Sequence, residues 1–149
     1  MNFLQKKVWI HLILTVQTRK KNIAYQYERK LYAQIRKLFY KIDCSLQIVN
    51  GTDDHIHCLF NLRPDYSLEN VVNYVKSNTA EFNEDKNHIT ESFKWKPGYF
   101  AFSISETSLT KVIRYIQQQK KVHQQITLQE ETTDYAAQLI DNIFESDKE

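Results

Sequence analysis

The stretch that decides the fold is Asp54-His55-Ile56-His57-Cys58-Leu59-Phe60-Asn61-Leu62. Side chains alternate across a strand, so His55, His57 and Leu59 share one side and Ile56, Cys58 and Phe60 the other. Arg63-Pro64 ends the run, because proline cannot donate to a ladder. One side is apolar and needs cover. The other carries two imidazoles close enough together to share one cation.

Working outward, Ser45 to Asn50 reads as a short strand. Asn50-Gly51-Thr52-Asp53 joins it to the histidine strand as a hairpin turn whose glycine tolerates positive φ. On the other side, Ser67 caps a helix running to about Asn83, with Leu68, Val71, Val72 and Val75 as its buried stripe. Tyr25 to Lys41 shows helical spacing at Tyr27, Leu31, Ile35, Leu38 and Phe39. Val8 to Gln17 alternates, with Ile10, Leu12, Leu14 and Val16 against Trp9, His11, Ile13 and Thr15. Phe93 to Ser105 reads as the last strand, with a charged start that belongs to a loop. Thr107 or Ser108 caps a third helix to about Gln125, and a shorter helix covers Glu130 to Asp141.

The order β-α-β-β-α-β followed by helices predicts an α+β, ferredoxin-like sheet, the topology shared with RNA-recognition motifs. Its first and third strands are central and antiparallel to their neighbours, and both crossover helices cover one face. Leu12, Leu14, Phe60, Phe100 and Phe102 are expected to meet those helices. His11, His55, His57, Ala101 and Ser103 are then left on the other face, with only the third helix to cover it.

A chain of 149 residues with two glycines and two prolines fits one domain, 1–149, built of long regular elements. Cys44 and Cys58 form no Cys-x-x-Cys pair and no disulfide framework, so both read as buried thiols of a cytoplasmic protein. No apolar run reaches the roughly 20 residues of a membrane span, and no secretory segment follows the first methionine. A net charge of +2 is compatible with nucleic acid without arguing for it. Arg19-Lys20-Lys21 and Lys120-Lys121 are basic knots, with solvated surface as the plain alternative.

A His-x-His pair also occurs as ordinary packed or surface histidines. Its place on a central strand, opposite the core helices, is what raises the metal reading. His11 projects from the same face and either orients a ligand or packs. Tyr115 and Gln119 lie four apart on the third helix, beside the stripe Leu109, Val112, Ile113 and Ile116, and both can look toward the histidines. Two imidazoles, an amide oxygen and a phenol able to attack phosphorus make a coherent site.

The sequence resembles the single-tyrosine HUH transposases of small bacterial insertion sequences, and is similar to REP-associated tyrosine transposases. Asp54-His55-Ile56-His57-Cys58-Leu59 resembles the family's histidine strand. Gly98-Tyr99-Phe100-Ala101-Phe102-Ser103-Ile104-Ser105 resembles its last strand, and Tyr115-Ile116-x-x-Gln119 its catalytic helix. Agreement extends from His11-Leu12 and Arg19 through Lys76-Ser77 to Leu128-Gln129-Glu130-Glu131. Gln17, Val122 and Leu128 depart from the usual residues.

The resemblance implies a transposase that cleaves and rejoins single-stranded DNA. Tyr115 would be the nucleophile, and His55, His57 and Gln119 would hold a divalent Mg or Mn ion. It implies a 5′-phosphotyrosine intermediate, DNA hairpins as partners, and a homodimer in which the tyrosine of one subunit can serve the histidines of the other. Arg19, Lys20, Lys21, Lys94 and Lys96 are the candidate DNA contacts. The rival readings are an RNA-recognition-like binding module, a hairpin-binding relative that has lost activity, and a metal-dependent hydrolase that uses water.

Overall fold

The computed structural model describes residues 7–17, 23, 25–83 and 94–122. Arg19, Lys20, Lys21, the third helix beyond 122 and the helix expected over Glu130 to Asp141 lie outside the described residues. The elements are β1 (Trp9–Thr15), α1 (Tyr25–Lys41), β2 (Leu46–Gly51), β3 (His55–Asn61), α2 (Leu68–Asn83), β4 (Phe100–Ile104), α3 (Leu109–Gln117) and α4 (Gln119–Val122). The sheet order is β2-β3-β1-β4 with every pair antiparallel, so the fold is the expected ferredoxin-like α+β sheet with β1 and β3 central. Among the described residues no helix is long and apolar enough to cross a membrane.

The main core lies between the sheet and helices α1 and α2. Ile10, Leu12 and Leu14 of β1 and Ile56, Cys58 and Phe60 of β3 meet Leu31, Ile35 and Phe39 of α1 and Val71, Val72 and Val75 of α2. Helix α1 has the bounds its periodicity predicts. The start of α2 is capped as expected, with the Asn70 amide donating to Ser67 Oγ at 3.1 Å. Both cysteines are free and buried, and burial pushes the Cys58 thiol up to about 12. A second cluster, Trp9, Leu59, Val112, Tyr115 and Ile116, packs α3 on the opposite face.

Four expectations need correction. Strand β4 is only Phe100–Ile104, and the residues before it join β1 through a single bridge, Val16 to Trp95. Its faces are also the reverse of those expected. Antiparallel pairing sets Leu12 opposite Ala101 and His11 opposite Phe102, and opposed residues point the same way. Ala101 therefore faces the helices, while Phe100 and Phe102 stand on the histidine face.

The third correction concerns the helix that bears Tyr115. It is entered through a single 3-10 turn, Glu106–Ser108, with no side-chain cap from Ser108, and it breaks at Gln118 (φ −99°, ψ 18°) before α4 resumes. The fourth is the hairpin glycine. Among the described residues the glycine with positive φ is Gly98 (84°), not Gly51. Gly51 is required for close approach, since a Cβ there would sit 2.2 Å from the His55 carbonyl oxygen.

Candidate active site

His55 opens β3 and His57 follows two residues on; both are fully buried, as are His11 and Gln119. His55 Nδ1 lies 2.6 Å from Asp54 Oδ1 and 2.9 Å from Thr52 Oγ1. An ionised carboxylate only accepts, so Nδ1 carries the proton and the ring offers Nε2 as a lone pair. That lone pair meets Gln119 Oε1 at 3.3 Å. Two acceptors face each other there. Turning the amide over, or placing a cation against both atoms, relieves the conflict, and only a cation also employs His57.

His57 is oriented in the same manner. Its Nδ1 is 2.7 Å from His11 Nε2, and its Nε2 is buried. For Nε2 to offer a lone pair, Nδ1 must donate its hydrogen to His11. The rings of His55 and His57 lie 5.1 Å apart. Among the described residues no group of three or more His, Cys, Asp or Glu could hold a metal, so a cation here needs the amide oxygen of Gln119 as well.

Tyr115 reaches the same place from α3. Its ring stands edge-on to His57 at 6.1 Å and to His11 at 6.2 Å between centroids, and the residue is 1% exposed. Phe102 closes another side, 6.4 Å from His11. The structure thus gathers Tyr115, His55, His57, Gln119 and His11 on one face, in a closed arrangement in which each is at most 1% exposed.

Lys94 and Lys96 are exposed and flank the end of β1 nearest His55. The Gln17 amide donates to the Lys94 carbonyl and the Lys96 amide to the Thr15 carbonyl, both at 2.7 Å, and Thr15 is the partner of His55 in the sheet. Half-buried Lys76 fixes this segment from α2, donating to the carbonyls of Lys96 at 2.9 Å and Gly98 at 2.6 Å. Desolvation holds its ammonium below the usual lysine range.

Sequence reasoning did not find the orienting residues Asp54 and Thr52, nor Asn50. Asn50 donates through Nδ2 to the carbonyls of Ile116 at 2.8 Å and Gln117 at 3.2 Å at the end of α3. Asp54 was legible in principle, since an acceptor directly before a candidate ligand histidine is a natural partner.

This sheet, with a tyrosine helix laid over its histidine face, is the fold of known transposases. One similar solved structure is a protein from Deinococcus radiodurans R1 assigned as a transposase, with a TM-score of 0.64 and 19% identity over 80% of this chain and 95% of that one. Another is a REP-associated tyrosine transposase bound to a REP hairpin, with a TM-score of 0.64 and 14% identity over 85% of this chain and 74% of that one. No curated protein is a significant match. The model of the family "Transposase IS200 like" matches residues 4–119, and the chain belongs to that family.

Proposed function

We propose that this transposase cleaves and rejoins single-stranded DNA through a covalent link to Tyr115. The observation that carries the reading is the convergence of the Tyr115 ring, 6.1 Å from His57, with the facing acceptors His55 Nε2 and Gln119 Oε1. When bound to His55, His57 and Gln119, a divalent ion such as Mg or Mn supplies positive charge at the scissile phosphate.

The chain's own residues do the rest. Tyr115 supplies the nucleophilic oxygen: an O–P bond forms to the phenol as the bond from phosphorus to the 3′ oxygen breaks, the phenol giving up its proton and the departing oxygen gaining one. The product is a 5′-phosphotyrosine and a free 3′-hydroxyl. Attack by another 3′-hydroxyl reverses the step and rejoins DNA without an external energy source. Asp54 and His11 hold the two imidazoles in the tautomers that leave each Nε2 to the ion. Burial keeps water from competing with the phenol.

Lys94 and Lys96, with Arg19, Lys20 and Lys21, supply positive charge for a single-stranded backbone next to hairpins. In a homodimer, the closed site would open by exchanging its tyrosine helix with the partner's. The test is denaturing electrophoresis after incubation with single-stranded DNA from the ends of the element and Mn. Wild type should give an SDS-resistant complex, and Tyr115→Phe none. Retention of the complex in Tyr115→Phe contradicts the assignment, and His57→Ala should abolish cleavage while the protein remains folded.

A further inference from the structure

Gln119 is separated from Tyr115 by the helix break at Gln118, so the fold of α3 does not by itself fix where Gln119 stands. Helix α4 has four residues, too few to be stable alone. Something else must hold it. Lys120, the next residue, donates from Nζ to Glu28 Oε1 at 2.6 Å and to the Gly51 carbonyl at 3.3 Å. Glu28 lies on α1, with its side chain 10% exposed, and also accepts the Tyr32 hydroxyl at 2.8 Å.

A buried carboxylate is costly without a cation, and among the described residues Lys120 supplies one at 2.6 Å. Moving α4 off the sheet would leave the Glu28 carboxylate with the Tyr32 hydroxyl but without the Lys120 charge, which favours return. The two sides of the break have different anchors. Asn50 grips the last carbonyls of α3, on the Tyr115 side, and Glu28 grips α4 on the Gln119 side.

We propose that the Lys120–Glu28 pair is a latch that fixes Gln119 in the site, so that Lys120 and Glu28 are positioning residues for the metal-binding amide. The inference rests on the reading of Gln119 as a ligand. It makes the cation site of the closed state depend on a charge on α1, outside the site itself, and lets Gln119 leave while Tyr115 stays.

The test uses the full chain without DNA. Lys120 is half exposed, so Lys120→Met should fold, and Lys120→Arg preserves the charge. Two quantities are measured: the affinity for Mn by calorimetry, and amide hydrogen exchange over residues 117–121 in metal-free protein. Lys120→Met should weaken Mn binding about tenfold and speed exchange in that segment about tenfold with the sheet amides unchanged. Lys120→Arg should restore both, and Glu28→Gln should reproduce the Lys120→Met behaviour.

Wild-type exchange at 117–121 in Lys120→Met overturns the latch. Faster exchange with unaltered Mn affinity overturns its positioning of Gln119. If wild-type protein binds no Mn, the ligand reading and the positioning claim both fail, while the exchange data still decide whether Lys120 tethers α4.

Discussion

At the scale of single residues, the site depends on small groups that set the state of larger ones. Asp54 and His11 determine which nitrogen of each imidazole faces Gln119 and Tyr115. Asp54→Ala should therefore weaken Mn affinity by about 10- to 100-fold with little change in thermal stability, checked by calorimetry and a melting curve. Cys58 behaves as an apolar residue, its thiol pushed up to about 12 by complete burial. It should resist alkylation at pH 8 in native protein and react only in denaturant. A thiol with a folded-state pKa raised above its unfolded value stabilises the fold in full below that unfolded value, near 9. The contribution is lost as pH climbs from about 9 to about 12, with a slope of roughly 1.4 kcal/mol per pH unit. Chemical denaturation of wild type and Cys58→Ala across that range should show the stability difference between them falling with this slope, since raised Tyr32 and Cys44 contribute to both proteins alike.

At the scale of elements, what the sequence made legible is what local periodicity dictates. Helix α1 and the capped start of α2 follow from their apolar spacing and from Ser67. The phase of β4 did not. Ranking faces by bulk sends Phe100 and Phe102 toward the helices, but pairing with β1 decides, and Ala101 lies opposite Leu12. The helix side of that edge is filled from elsewhere, by Tyr74 and Trp95, which pack on the same cluster as Ala101. The break at Gln118 was equally hidden, because glutamine is a good helix former and the contacts that anchor the segments on either side of it come from Asn50 and Glu28, far away in sequence. Asn50→Ala should cost about 1 kcal/mol by denaturant titration, from the lost bonds at the end of α3. Gly51→Ala should cost about 2–4 kcal/mol, because the new methyl meets the His55 carbonyl.

At the scale of the whole molecule, one sheet separates two tasks. The face bearing Leu12, Cys58 and Phe60 supplies stability through α1 and α2, and the face bearing His11, His55 and His57 holds the proposed site under α3. Tyr115 belongs to both, as a member of the small apolar cluster and as the proposed nucleophile, which is why a buried aromatic and a catalytic one are indistinguishable from spacing alone. The site was legible as a set of residue types on one face; its closure and its orienting bonds were not, since both come from contacts between distant segments. The most direct test of the central claim is peptide mapping by tandem mass spectrometry of the complex formed with single-stranded DNA and Mn. The account predicts one nucleotide-bearing peptide, with the phosphate ester on Tyr115. A phosphorylated linkage on any other residue, or cleavage of DNA with no covalent complex at all, would contradict it.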